Sequence, residues 1–351
     1  MKHVRPTVFL DAFYTHTTPF ISTEFDMFPY ERARGLLFSL GMSLPILYGA
    51  LAQDYVRAAF MTLGALLALL LDPRSQALKQ MAAIVIGVLA VIVSAALGLT
   101  LVGHSQLAIA ALMIFGFLAG QPKPEHAYWG LLGKYLATAL LLAQLGFPAS
   151  ASIGIAYFAG ALLALMLILL QGWMYKTDEI AHSPNNEFFQ IIKGDTNGPL
   201  YGLTLPLTIL AATISADWMH VTQPGWVGLT ILFVMHIDDR LSWHHLWDRI
   251  LGTLLGILIA YIAVRYIDQI GLAIIVALFA FWIPYSLRKS YLLFSLVITV
   301  TVMVAINFAL LPKGDLQLMS WRFLDTLIGC FWVAIALIMT HGLHARKAKL
   351  D

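Results

Sequence analysis

Apolar runs of membrane length recur along the chain, and each is closed by a short polar or Gly/Pro-bearing break. That rhythm predicts helices throughout. A membrane helix needs about 20 mostly apolar residues. Twelve stretches approach that length: Gly35–Leu51, Tyr55–Leu71, Met81–Val102, Gln106–Gly120, Ala127–Leu145 and Ala149–Trp173, then Pro199–Met219, Trp226–Ile237, Leu246–Val264, Ile270–Tyr285, Tyr291–Leu311 and Trp321–Leu343. The fourth and eighth are short, and Pro206 lies inside the seventh. Asp72-Pro73-Arg74, Gly146-Phe147-Pro148 and Pro312-Lys313-Gly314-Asp315 mark turns, because Pro and Gly interrupt regular structure. One long polar connection, residues 175–198, divides the pattern, and Asn186 to Gly194 within it reads as a short surface helix.

The expected fold is an all-α polytopic membrane protein, with about 12 transmembrane helices arranged as two six-helix repeats. The expected organisation is a cytoplasmic tail over 1–30, a first repeat over 31–174, a cytoplasmic linker over 175–198, a second repeat over 199–343 and a basic tail over 344–351. The repeat rests on matching features. The second span of each half carries a threonine, Thr62 or Thr230, and ends in acid and arginine. The third span then brings Gly87 in one half, and Gly252 and Gly256 in the other.

Basic residues orient the layout. With the N-terminus in the cytoplasm, the outer segments hold only Arg57, Arg265, Lys313 and Arg322, while Arg32, Arg34, Arg74, Lys123, Arg240, Arg249, Arg288 and Lys289 are among those inside. That asymmetry follows the positive-inside rule, so both termini are placed in the cytoplasm. The first 30 residues lack a short apolar run with a small-residue cleavage site, and the first span is expected to direct insertion.

Composition sharpens this. The 351 residues are 60% hydrophobic and 11% charged, against about 25% charged in soluble chains. The net charge of +2 and the lack of a basic block beyond the tail argue against nucleic acid. A single cysteine, Cys330, gives neither a disulfide framework nor a thiolate metal site. No phosphate-cradling glycine loop is present, which argues against ATP-driven transport by this chain.

Charges within spans are costly and therefore functional candidates. Lys134 lies about a third of the way into the fifth span, among Gly130, Ala137 and Thr138. It reads either as a binding group for an anionic substrate or as a lysine snorkelling to the surface. Asp325 lies one turn into the last span with Arg322 three residues before it. The two read as a structural ion pair or as a proton-coupling carboxylate, since burial raises a carboxylate's pKa.

Around the turn between the eighth and ninth spans, Asp238, Asp239, Arg240, His244, His245, Asp248 and Arg249 gather. Arg249, Gly252 and Gly256 share one helix face, and a GxxxG pair admits a close helix neighbour. Arg249 reads either as an anion-docking residue at the mouth of that face or as a marker of the cytoplasmic helix end. His236, His244 and His245 beside the aspartates match no metal-ligand spacing. One Asp-Asp pair without a partner motif does not make a magnesium-diphosphate enzyme site. The reading is a non-enzyme without cofactor or metal. Seven tryptophans near span ends form an interfacial belt.

Two motifs carry a family resemblance. Trp226 and Thr230, a charged turn, and then Arg249, Gly252, Thr253 and Gly256 form the first; Arg322, Asp325, Thr326 and Gly329 form the second. Together they resemble the fusaric acid resistance (FUSC-type) family of membrane transporters, whose relatives include bacterial aromatic acid exporters and, more distantly, plant aluminium-activated malate transporters. The likeness covers mainly residues 200–343. It implies proton-driven export of small, often aromatic, organic acids across the bacterial inner membrane, beside a periplasmic adaptor protein, and a homo-oligomer is possible on this reading. Many bacterial members carry sizeable cytoplasmic domains after each six-span block, and the short 175–198 connection departs from that. The residues expected to bind substrate are Lys134, Arg249, Arg240 and Arg74, and those expected to couple protons are Asp325, Asp238 and Asp239. A passive organic-anion channel needs the same basic lining without the proton carrier. A non-transporting membrane scaffold is the third reading.

Overall fold

The structure is a computed structural model that describes residues 27, 29–71, 81–123, 127–143, 150–174, 184–221, 225–236, 238–310 and 316–347. Among these the chain is helical, and an isolated pairing of Pro122 with Thr196 is its one extended contact. The helices are α1 (Pro29–Ala52), α2 (Tyr55–Leu70), α3 (Met81–Thr100), α4 (Ser105–Gly120), α5 (Ala127–Leu142), α6 (Ala151–Met174) and α7 (Pro184–Ile192). They continue with α8 (Pro199–Trp218), α9 (Gly225–Val234), α10 (Asp239–Tyr266), α11 (Gln269–Phe281), α12 (Ile283–Lys289), α13 (Tyr291–Ala309) and α14 (Leu316–Lys347). Seven helices are long and apolar enough to cross a membrane, and three shorter ones are also apolar. Large apolar side chains such as Val93, Ile155, Met166, Ile274 and Phe331 face outward. A water-facing surface rarely tolerates that much exposed apolar area, and lipid does not penalise it. The chain is a multi-pass membrane protein.

Local chemistry sets the helix ends. Asp238 caps α10, its carboxylate accepting from the Arg240 N–H at 2.8 Å and the Leu241 N–H at 3.4 Å. Asp268 and Ser290 cap α11 and α13 by accepting from Gly271 N and Leu293 N. Such caps satisfy amides that have no partner within the helix. The tenth expected span is broken: α11 ends at Phe281, and Pro284 stands in the first turn of α12. Proline lacks the N–H that a continuing helix would use. The expected linker helix is present as α7.

Packing partners recur between the two halves. In the first half α2 packs on α1 and α6, α3 on α5 and α6, and α4 on α5. In the second half α9 packs on α8 and α14, α10 on α13 and α14, and α11 on α13. The contacts between halves also come in matched kinds, α1 on α11 with α4 on α8, and α2 on α13 with α5 on α9. Small residues bring the helices close. A Cβ on Gly35 would fall 2.5 Å from the Phe281 carbonyl, and one on Gly120 3.3 Å from Gly202.

Candidate functional site

The site is built where α9, α10, α13 and α14 meet. Helix α9 has only 10 residues, about 15 Å of rise, so it stops well short of a bilayer's thickness. After Val234 the chain leaves the helix and restarts at the Asp238 cap of α10. Two crossings hold α9 and α10 in position. Gly329 of α14 sits so tightly on α9 that a Cβ there would fall 2.7 Å from Thr230 and 3.0 Å from the Val227 carbonyl. Gly252 and Gly256 of α10 do the same against α13, 2.7 Å from the Leu292 carbonyl and 2.9 Å from the Leu296 carbonyl. The GxxxG face is therefore filled by a helix, and it does not form an open channel. Arg249, on the same stretch, is left at the edge of that contact.

Both arginines are buried, at 5% exposure each, and Asp325 is buried at 1%. Arg322 turns to α9. It donates from Nη1 to the Trp226 carbonyl at 3.2 Å, and its guanidinium carbon lies 4.4 Å from the centre of the Trp226 ring. The expected pairing of Arg322 with Asp325 gives way to this contact, because a helix-mate three residues away competes with a whole indole face and a carbonyl. Asp325 Oδ1 is left buried without a hydrogen-bond partner. On the same four helices, Arg249 Nε, Thr253 Oγ1 and Trp226 Nε1 are likewise buried without partners among the described residues, and the Tyr291 hydroxyl lies against Arg249. Arg249, Arg322, Tyr291 and Cys330 lie within electrostatic reach of one another. Arg322 thus neighbours Trp226, Asp325, Arg249 and Tyr291, and Thr253 follows Arg249 by one helical turn. Buried polar groups are normally satisfied, so the arrangement suits an anionic guest that accepts from several donors at once.

The other expected site residues lie elsewhere. Lys134 is half-buried on α5, with Nζ 6.0 Å from the Phe233 ring. Its electrostatic neighbours are His236 and His245. Arg240 is exposed at the start of α10. Asp238 is exposed and caps α10, while Asp325 is buried. The side chain of Asp239, and Arg74 entirely, lie outside the described residues. Tyr291 was not among the expected residues. Its place beside Arg249 arises from the α10–α13 crossing, and the sequence signal for it is only a tyrosine at the start of a span. Thr253, four residues after Arg249, was legible as an i, i+4 polar stripe. Among the described residues no group of three or more metal-ligating side chains is close enough to hold a metal ion.

At the linker, α7 docks on α5. Trp129 Nε1 donates to the Pro184 carbonyl at 2.8 Å, and its ring packs on Phe188 at 5.0 Å. Glu187 is buried against Tyr128, with Oε2 unpartnered. Burial pushes its carboxyl up to about 7, with the Tyr128 backbone N–H working weakly in the other direction.

Residues 210–336 match the family described as fusaric acid resistance protein-like. That interval contains both motifs and the whole buried cluster, so the resemblance read from Arg249-Gly252-Thr253-Gly256 and Arg322-Asp325-Thr326-Gly329 is shown there. An uncharacterized protein of Synechocystis sp. is 32% identical over 75 residues, 21% of this chain. The match spans 10% of that relative's length. No solved structure matches the chain.

Proposed function

We propose that this protein is an inner-membrane secondary transporter that exports small organic anions, aromatic carboxylic acids foremost, with its drive from the proton gradient. The observation that carries the reading is the buried pair Arg249 and Arg322, within electrostatic reach of each other and of Tyr291, with Trp226 packed on Arg322 and the buried acid Asp325 beside it. A carboxylate docks on guanidinium through paired, charge-assisted hydrogen bonds. Two arginines in a poorly hydrated interior, with a hydroxyl from Tyr291 and one from Thr253, meet the lone pairs of such a group. The Trp226 face and the Tyr291 ring offer apolar surface to the rest of an aromatic acid.

Asp325 links the anion to a proton. Ionised, it adds negative charge beside the arginines and weakens anion binding. Protonated, it leaves both guanidiniums to the substrate. Binding of substrate and binding of a proton at this carboxyl are thus thermodynamically linked, which coupling to a proton gradient requires. The interior-negative potential also favours anion exit, by about 2.3 kcal/mol per charge per 100 mV. A passive channel would use that term alone.

The family match and the run of apolar helices support a transporter-like membrane protein. The matched packing partners of the two halves support a twelve-span arrangement of two six-helix repeats, and the basic-residue asymmetry supports cytoplasmic termini. The test is uptake of labelled aromatic and aliphatic carboxylates into inside-out vesicles, with and without a proton gradient. Gradient-dependent accumulation of one class supports the proposal. Equilibration without accumulation replaces it with the channel reading, and no movement of any acid replaces it with a scaffold.

A further inference from the structure

Lys134 is the one cation expected to bind substrate that the structure describes inside the protein yet apart from the arginine cluster. It comes from α5, in the first half, and reaches the break between α9 and α10 in the second. Its electrostatic neighbours are His236, in the break itself, and His245 on α10. The groups coupled to Arg322 are a different set: Arg249, Asp325, Cys330 and Tyr291. One contact joins the two sets. The His245 ring stacks on Tyr291 at 4.0 Å and 17°, and it meets His236 edge to face at 4.7 Å and 79°.

The same contact has a direction. His245, Arg249 and Thr253 follow at intervals of four on α10, so they form one stripe along the helix. The step from His245 to Thr253 is about 12 Å along the axis. On the proposed topology the His245 end faces the cytoplasm, and the Thr253 end lies toward Arg322 and the outer side. Lys134 makes no ion pair or hydrogen bond through its ammonium among the described residues; its contact is the Phe233 ring. An ammonium, two imidazoles and an aromatic face suit an arriving carboxylate; among the described residues the exposed His244 and half-buried Asp248 of α10, and Tyr135 against Phe233, are further titratable groups on the elements packed there.

We propose that Lys134, with His236 and His245, forms a second, cytoplasm-facing carboxylate station, from which the anion passes over the His245–Tyr291 stack to Arg249 and Arg322. The inference rests on the transport reading above and adds a sided path to it. Lys134 acts on capture from the cytoplasm, and the arginines act on every passage. It also gives the contact between the halves, α5 against α9, a role in transport.

The experiment measures radiolabelled benzoate flux in vesicles of both orientations, for wild type and for the variants Lys134→Gln, Lys134→Arg and Arg322→Gln. Loss of one charge-assisted contact is a change of about ten-fold or more. Lys134→Gln should raise the half-saturating benzoate concentration about ten-fold from the cytoplasmic face and leave the value from the outer face unchanged. Lys134→Arg should restore much of the cytoplasmic value, which separates a charge effect from misfolding. Arg322→Gln should depress flux from both faces. Equal shifts on both faces in Lys134→Gln, or none on either, overturn the two-station path. Wild-type flux in Arg322→Gln strikes instead at the arginine site of the transport reading.

Discussion

Two helix crossings in this protein are built alike and filled differently. Gly160 of α6 packs on α2 so closely that a Cβ would run into the Met61 carbonyl, and Gly329 of α14 packs on α9 against Thr230 and the Val227 carbonyl. Counting back from the crossing glycine, seven residues before Gly160 is Ile153 and four before it is Ala156. The same steps back from Gly329 reach Arg322 and Asp325. At the first crossing, Ile153 and Ala156 join Phe60 in a small apolar cluster. At the second, the same positions carry a buried cation and a buried acid. Taking charges out of water costs several kcal/mol per ion, and the first crossing shows that the architecture closes without them. The difference separates what the fold needs from what the proposed transport needs: the glycine approach serves both crossings, and the charges serve only one.

The comparison breaks first at the glycines. Gly160→Leu and Gly329→Leu should each destabilise the protein by at least about 3 kcal/mol, because a backbone or a packed side chain must move. Gly160→Leu should be the worse of the two, since its nearest obstacle is a backbone carbonyl, whereas Gly329 meets the Thr230 side chain first. Folded yield and thermal unfolding in detergent measure this, and a tolerated Gly160→Leu would mean that the close approach is not needed.

The next effect is functional. Arg322→Gln should lower carboxylate flux about 10- to 100-fold, the value of a charged hydrogen-bonding contact, while unfolding stays cooperative. Its counterpart Ile153→Val should leave flux at the wild-type level and cost about 1 kcal/mol of stability. Flux assays on both variants, paired with unfolding, read the asymmetry directly.

A smaller effect is set by pH at the linker. The Glu187 carboxyl titrates near 7 when α7 is docked, against an ordinary value of 4.5. Its folded-state pKa is raised, so its docking is fully supported below about 4.5 and is lost as pH rises through about 7. Hydrogen exchange over residues 184–192 should be faster at about pH 8 than at about pH 6 once corrected for intrinsic rates. Glu187→Gln should remove that difference, and equal protection of the wild type at both values would deny it. The smallest effect is at the Lys123–Asp195 pair, which is about two-fifths exposed on each side. Lys123→Ala should change stability by about 0–1 kcal/mol in thermal unfolding.

Much of the fold was legible because apolar runs in a membrane protein leave the backbone no alternative to helix. A helix occupies each of the twelve expected stretches, and the brevity of α9 was visible in Trp226–Ile237. The break between α11 and α12 was missed, since apolar residues continue through Trp282 and only Pro284 marks it. Asp238 was read for its charge alone; Asp before a helix is also a cap signature, and the structure shows that cap. Arg249 was legible as a basic residue at the mouth of a glycine face, and Arg322 with Asp325 as a pair at the start of the last span. Their assembly with Tyr291 and Trp226 was not, because four helices bring them together and no local spacing encodes a crossing. For the same reason the turn of Arg322 toward Trp226 could not be read from its position three residues before Asp325.

The most direct measurement gives the second crossing the residues of the first. A protein carrying Arg322→Ile and Asp325→Ala together should be at least as stable as wild type, since replacing buried charges by packed apolar groups is often neutral or favourable by about 1–4 kcal/mol. Reconstituted in liposomes, it should carry no measurable flux of an aromatic carboxylate under a proton gradient that drives the wild type. A folded double variant that moves the acid as fast as wild type would contradict the account, because the buried charges would then have no part in transport.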